Sequence, residues 1–364
     1  MIIKSLELSN FRNYEQLRID FSGNTNILFG DNAQGKTNIL EAVAVAGTTR
    51  SHKGSRDREM IRFGQDESHI RAMVEKNGSL HQIDLHLKRS QSKGIAVNRV
   101  PIKKASELFG ILNIVFFSPE DMNIIREGPT KRRRFLDMEL SQLDRIYLSD
   151  LSNYNKVLSQ RNQLLKDLEF QPELRDTLDI WNQQLLEYGI RIIRRRSSFI
   201  HRLNDIIVDI HRNITGDREK LVLKYEPDAG SDDFAQRLLM QEDTDLRMRT
   251  TTVGPHRDDI RFEVNGIDIR TYGSQGQQRT AALSLKLSEI ETVKEIIKDT
   301  PVLLLDDVLS ELDQHRQNDL LNQIHDVQTI ITCTGLDEFV KNRFPIDKVF
   351  FVKEGTVTEQ EDFE

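Results

Sequence analysis

A chain of 364 residues, 37% of them hydrophobic, is long enough for a sizeable core, either as two or three domains or as one large α/β domain carrying an insertion. Its net charge of −7 excludes anion binding by bulk charge, so a nucleic-acid partner must meet a local basic patch. The single cysteine, Cys333, excludes a disulfide framework or a cysteine-based zinc site, and no apolar run reaches the roughly 18 residues of a spanning helix, so a soluble protein of a reducing cytoplasm is expected.

Residues 2 to 8 and Leu17 to Phe21 alternate apolar and polar, which predicts a hairpin with Asn10-Phe11-Arg12-Asn13-Tyr14 at its turn. Arg12 there is either solvated surface or a cation delivered beside a bound nucleotide. The apolar run Ile27-Leu28-Phe29 reads as a buried strand, and Asn38 to Val43 as a helix. Between them Gly30-Asp31-Asn32-Ala33-Gln34-Gly35-Lys36-Thr37 matches the phosphate-loop pattern of glycine, four free positions, glycine, lysine and a hydroxyl residue. Glycines let successive backbone N–H groups turn inward as an anion nest, and the helix N-terminus adds its partial positive charge. Lys36 is then expected to reach the β- and γ-phosphates of a nucleotide, and Thr37 to hold Mg²⁺.

The stretch Thr48 to Arg58 is polar and basic, a loop that is either a solvated connection or a phosphate-contacting surface through Arg50, Lys53 and Arg56. Alternation from Ile70 to Val97, with Asn77-Gly78 as a hairpin turn, predicts an antiparallel sheet. Ile111 to Phe117 is of buried-strand type and ends at Ser118-Pro119-Glu120-Asp121. Beyond Gly128-Pro129 a helix opens with Lys131, Arg132, Arg133 and Arg134 in its first turn, against the helix dipole. These cations either pair with Asp137 and Glu139 or await an anion.

From about 145 to 215 the strand signal disappears. Apolar residues at steps of 3 and 4 predict a helical hairpin with a coiled-coil seam, broken at Gln171-Pro172; its second helix spans roughly 60 Å. Gly189 is expected to kink it and Arg194-Arg195-Arg196 to interrupt the seam. A strand at 220–225, a short helix opening at Ser231-Asp232-Asp233, and a hairpin turning at Asn265-Gly266 follow. His256 with Asp258 and Asp259 lacks partners at metal spacing, so a metal site is not expected there. Tyr272 to Arg279 precedes an amphipathic helix with Leu283, Leu287, Ile290 and Val293. Pro301 to Asp307 reads as a buried strand, expected beside the phosphate-loop strand, that ends in two carboxylates; the first suits Mg²⁺ and the second an attacking water. Ser310-Glu311-Leu312-Asp313, a strand at 329–333 and a final hairpin around Val349 to Val357 close the chain.

Lys36 and Asp306 must meet at one Mg-nucleotide although 269 residues lie between them, so the nucleotide domain is expected to be split. Residues 1–140 with 248–364 would form the ATPase head, and 141–247 a mainly helical insertion.

The phosphate loop, Ser274-Gln275-Gly276-Gln277, Leu303 to Asp307 and Ser310 to Asp313 together resemble the ATP-binding-cassette heads of SMC-type DNA-repair ATPases. Asn10 to Tyr14, Phe117 to Asp121, Arg132 to Asp137 and Gly254-Pro255-His256-Arg257-Asp258-Asp259 narrow the resemblance to the RecF family of bacterial replication and recombinational-repair proteins, over the whole chain. It implies an α/β fold: an ABC/SMC-type P-loop ATPase head with an antiparallel β subdomain and an inserted α-helical arm. It also implies a protein that binds ATP and Mg²⁺, dimerises head to tail around two nucleotides, binds single- and double-stranded DNA at gaps, and helps RecR and RecO load RecA. Carried over to this sequence, Gly30, Asp31, Asn32, Ala33, Gln34, Gly35, Lys36, Thr37 and Asn38 surround the phosphates, with Arg12 near them. Ser274, Gly276 and Gln277 contact the γ-phosphate bound by the other subunit, Asp306 belongs to Mg²⁺ and Asp307 to the water. Asp307 replaces the usual glutamate and Thr332 stands where a switch histidine is usual, so slow, switch-like turnover is expected. A transporter ATPase subunit would not carry a long helical arm between its phosphate loop and signature, and a non-hydrolysing scaffold would differ only in rate.

Overall fold

The computed structural model describes residues 1–312, 314–324, 326–335 and 346–360, so Asp313 of the expected Ser310–Asp313 motif lies outside the described residues. The chain divides into two compact units, residues 1–121 with 286–364, and residues 122–285. The second unit therefore takes in 122–140 and 248–285 as well as the expected insertion, because helices after Met122 and strands up to Asp268 share its core.

The first unit opens with strands β1 (Ile2–Phe11), β2 (Tyr14–Asp20) and β3 (Thr25–Phe29), followed by helix α1 (Lys36–Thr48) and the single turn α2 (Asp57–Met60). Strands β4 (Glu67–Lys76), β5 (Ser79–Lys88), β6 (Gly94–Val97), β7 (Val100–Pro101) and β8 (Ile114–Phe117) follow. The second unit holds helices α3 (Met122–Arg126), α4 (Pro129–Leu143), α5 (Arg145–Asp167) and α6 (Leu178–Thr215), then strand β9 (Leu221–Glu226), α7 (Phe234–Met240) and α8 (Glu242–Met248). It ends with β10 (Asp259–Val264), β11 (Ile267–Asp268), α9 (Ile269–Tyr272) and the start of α10 (Gln275–Ile297). The chain then returns to the first unit with β12 (Val302–Asp306), α11 (Gln314–Ile324), β13 (Thr329–Cys333), β14 (Ile346–Lys353) and β15 (Thr356–Gln360).

Two sheets build the first unit. One is antiparallel, in the order β2-β1-β4-β5-β6-β7; its β4–β5 turn puts Asn77 and Gly78 at φ 51° and 72°, as an Asn-Gly hairpin requires. The other runs β15-β14-β3-β13-β12-β8, parallel except for β15. Helix α1 packs against strands of both sheets, so Ile39, Leu40, Ala42, Val43, Val45 and Ala46 are all fully buried, and the helix is enclosed on every side from Ile39 onward, Glu41 included. The strand carrying Asp306 does not lie beside the phosphate-loop strand as expected: β13 is inserted between β3 and β12.

Helix α10 departs from the expected amphipathic pattern, for every residue from Thr280 to Ile290 is buried. Its polar residues are neutralised inside: Lys286 donates to Glu289 at 2.9 Å and lies 3.6 Å from Asp121.

In the second unit α5 and α6 form the antiparallel helical hairpin, and β11-β10-β9 form a small antiparallel sheet. Helix α6 runs unbroken for 38 residues through Gly189. Glycine is needed there for close packing, since a Cβ would stand 2.5 Å from the Phe234 ring and 3.2 Å from that of Tyr154. Nor does the arginine triplet interrupt the seam. Arg196 is buried within it, donating to Asp258 at 2.8 Å, Asp137 at 2.8 Å, the Pro255 carbonyl at 2.6 Å and the Tyr147 hydroxyl at 3.0 Å. Replacing Gly189 by Leu improves intrinsic helix propensity by under about 1 kcal/mol but forces the two rings apart, so a net loss of about 2 kcal/mol or more is expected in urea unfolding. An undiminished midpoint would remove the close-approach explanation.

Candidate nucleotide site

Strand β3 and helix α1 deliver the phosphate loop. Gly30 and Gly35 have φ of 147° and 115°, which favour glycine, and a Cβ at Gly35 would meet the Asn13 amide at 2.5 Å and the Tyr14 hydroxyl at 2.7 Å. The loop is tied down from both sides: Asn13 donates to the Gln34 carbonyl at 3.0 Å, Asn38 to Asn13 at 2.8 Å, and Glu354 N–H to the Gln34 side chain at 2.7 Å. Asp31, Asn32 and Ala33 are exposed on its outer bend. The sequence pattern marked Asn13 but not its role as a clamp, and gave no sign that the turn before Thr356 closes over Gln34.

Lys36 is buried and its ammonium donates to the carbonyls of Gly30 (2.6 Å) and Asp31 (2.7 Å). Desolvation lowers its pKa, opposed by Asp307, Cys333, Asp306 and Asp31 around it. Two carbonyl dipoles are weak company for a buried cation, so an anion in the loop would be a better partner. The Thr37 hydroxyl donates to Asp306 Oδ1 at 2.8 Å, although the two are 269 positions apart in sequence. Thr332, on the intervening strand β13, donates to the same carboxylate oxygen at 2.9 Å and accepts from Asp307 N–H at 2.9 Å. Asp307 has φ 53°, a left-handed conformation aspartate tolerates better than most residues, and Ser310 donates to its carbonyl at 2.8 Å. A threonine hydroxyl and a carboxylate at hydrogen-bond distance are hard oxygen donors that suit Mg²⁺, so the residues present fit the expected ion.

Other expected residues are placed differently. Arg12 binds Glu41 through two donors at 2.7 and 2.8 Å, Ser55 at 2.7 Å and the Glu59 carbonyl at 2.6 Å, so four of its five N–H groups are committed to protein. Burial opposes ionisation of Glu41, yet hydrogen bonds from Arg12 and Ser51 outweigh it and hold the carboxyl below its usual range. Arg12 thus braces the loop after α1. Arg132 is likewise withdrawn from any DNA surface: it is buried, holds Asp259 by two bonds of 2.5 and 2.9 Å, and donates to the Ile124 and Glu127 carbonyls. Arg133 donates to the Asp258 carbonyl, Lys131 lies 3.7 Å from Glu127, and Arg134 is half-buried. By contrast Arg50, Lys53 and Arg56 are exposed.

Ser274, Gln275 and Gly276 are exposed at the start of α10. Ser274 Oγ accepts from Gln277 N–H at 3.2 Å while the Gln277 side chain accepts from Ser274 N–H at 2.9 Å, a reciprocal cap of the helix N-terminus. Gln277 also donates to Glu219 at 2.9 Å.

The Gly254 to Asp259 motif builds structure in the second unit. Asp258 is fully buried, accepting from Arg196, from the Tyr225 hydroxyl and from Asp228 N–H. His256 Nε2 faces the Thr251 carbonyl at 3.1 Å, so it carries the proton, and Nδ1 meets the Tyr154 hydroxyl at 2.8 Å. Burial drives its pKa down to about 4. Because the unfolded imidazole titrates near 6.5, the unfolded state binds more protons between these values; this contribution to stability is full above about pH 6.5 and is lost as pH falls towards 4. His256→Gln should therefore show a flatter stability–pH curve than wild type across this window in urea unfolding, and parallel curves would contradict it.

Comparison with known proteins agrees with this architecture. The family model described as the RecF/RecN/SMC N terminal domain matches residues 2–358. The chain is 66% identical to the "DNA replication and repair protein RecF" of Agathobacter rectalis over 98% of this chain and 99% of that one. The chain belongs to the RecF family. The RecF of Lachnoclostridium phytofermentans is 56% identical over 98% of this chain and 99% of its own. Among solved structures, "Structure of the recombination mediator protein RecF-ATP in RecFOR pathway" superposes with a TM-score of 0.92 at 37% identity, covering 99% of this chain and 97% of that one. An Smc head bound to the C-terminal winged-helix domain of ScpA aligns with a TM-score of 0.56 at 16% identity over 99% of this chain and 98% of its own, a likeness of fold alone. The fold is thus that of an SMC/ABC-type ATPase head with an antiparallel sheet and a helical arm, as the motifs imply. No helix among the described residues is long and apolar enough to cross a membrane.

Proposed function

We propose that this RecF-family chain is a nucleotide-gated DNA-repair ATPase: it binds Mg-ATP in the phosphate loop, dimerises around two nucleotides, and engages DNA at gaps as part of RecA loading with RecO and RecR. One observation carries the reading, the 2.8 Å contact between Thr37 and Asp306 beside a buried lysine whose ammonium donates to the Gly30 and Asp31 carbonyls. The ATP named with a solved RecF at 37% identity supports the choice of nucleotide. Gly30 to Asn38 would enclose the phosphates, Lys36 would exchange its carbonyl partners for phosphate oxygens, and Thr37 with Asp306 would hold Mg²⁺. Asp307, fixed through Thr332 and Ser310, would orient the water; as a carboxylate one methylene shorter than glutamate it favours slow turnover.

The exposed N-terminus of the 23-residue helix α10, with Ser274, Gly276 and Gln277, would bind the γ-phosphate held by a second copy. ATP then joins two heads and ADP releases them. For DNA, Arg50, Lys53 and Arg56 are the favoured residues because their side chains are exposed, while Lys131, Arg133 and Arg134 rank below them.

Lys36→Met should nearly abolish ATP binding, whereas Asp307→Asn should keep binding and lose hydrolysis; equal ATP affinity in the Lys36 variant would sink the site, and undiminished turnover in the Asp307 variant would remove its role. Neutralising Arg50, Lys53 and Arg56 together should lower the slope of log affinity for DNA against log salt by about one for each phosphate that these cations no longer neutralise. An unchanged slope would place the DNA surface elsewhere.

A further inference from the structure

A cluster of metal-ligating side chains stands on the antiparallel sheet of the first unit, on strands that carry no part of the phosphate loop. Along β4 the two-residue period puts Glu67 and His69 on the exposed face, with Ser68 between them fully buried. Register across β4 and β5 sets His86 directly opposite His69, where side chains approach within about 5 Å at Cβ. His86 Nε2 meets the Glu67 carboxylate at 2.7 Å, and the two imidazoles stack with centroids 4.0 Å apart. One ligand atom from each of the three lies within 4.8 Å of the other two, and no second such group exists among the described residues.

We propose that Glu67, His69 and His86 bind a divalent first-row transition ion of the zinc class. Two imidazoles and one carboxylate are the donor set such ions prefer, whereas Mg²⁺ and Ca²⁺ select oxygen ligands. In a tetrahedral zinc site the donor atoms sit about 3.3 Å apart, so the cluster closes on the ion by side-chain rotation while the ladder keeps its register. Three protein ligands leave a fourth position open. His69 and His86 also line a groove of 730 Å³ on the same sheet, with Arg18, Arg71, Asp84 and Gly94 among its other residues, from which water can complete the shell. Arg71 does not compete for the ligands, being held by Asp84 at 2.7 Å and Glu7 at 3.3 Å. The ion would pin β4 to β5 at its exposed face.

The test is calorimetric titration of the chelator-stripped full chain with Zn²⁺ in excess MgCl₂, with Co²⁺ as an absorbance probe. One Zn²⁺ per chain is expected, undisturbed by Mg²⁺ and accompanied by visible ligand-field bands for Co²⁺. His69→Gln and His86→Gln should each weaken Zn²⁺ binding more than about tenfold, since even removing a residue that only hydrogen-bonds a metal ligand costs about 10- to 100-fold. His81→Gln, a half-buried histidine elsewhere on β5, should leave it unchanged. All three substitutions lie outside the proposed nucleotide site, so ATP affinity should stay at the wild-type value, and the ion-free melting temperature should fall by no more than about 4 °C, the share of an exposed ion pair and ring contact, which separates loss of a ligand from loss of fold. Absence of stoichiometric Zn²⁺ binding, displacement by Mg²⁺, or binding that survives both His69→Gln and His86→Gln would overturn the proposal.

Discussion

The first unit depends on one oxygen, Asp306 Oδ1, on which the hydroxyls of Thr37 and Thr332 converge. Those three residues come from the helix after β3, from β12 and from β13, the three elements whose ends must align for a phosphate loop and an acidic pair to share a ligand. Parallel strands bring their C-terminal ends to one edge, and the order β3-β13-β12 leaves a gap of one strand between loop and carboxylate. Thr332 fills that gap: its hydroxyl serves Asp306 as donor and Asp307 N–H as acceptor, so both acids are set by the strand that separates them from the loop.

Much of this was legible because its physics is local. An Asn-Gly turn, an apolar run ending in two aspartates, and a glycine-rich loop before a helix each impose their conformation over a few residues. The order of β3, β13 and β12 was not legible, since pairing of parallel strands depends on crossovers and leaves no mark in any one strand. Cation roles were equally opaque. Arg12 and Arg132 look like Arg50 and Arg56 in sequence, yet the first two are held by Glu41 and Asp259, and the others are exposed. What separates them is a carboxylate 29 or 127 positions away. The motif at Gly254 to Asp259 supported the family resemblance, but its residues act by holding the arm's base together through Arg196.

Buried charge is the costliest feature of the second unit. Arg161 with Asp245 and Arg196 with Asp258 are ion pairs whose side chains are almost fully enclosed, and each cation has further oxygen acceptors. Such pairs stabilise little relative to apolar packing, but removing one partner strands the other and is severe. They tie α5 to α8 and the middle of α6 to the loop before β10, which apolar seam residues alone would leave free to slide.

Thr37 and Asp306 together would form the metal end of the proposed nucleotide site. Equilibrium binding of ATP with and without Mg²⁺, on wild type and Asp306→Asn, tests it most directly. Mg²⁺ should tighten ATP binding to wild type, and the Asp306 variant should lose that increment while keeping the metal-free affinity set by Lys36 and the loop. An increment of the same size in both proteins would contradict the claim.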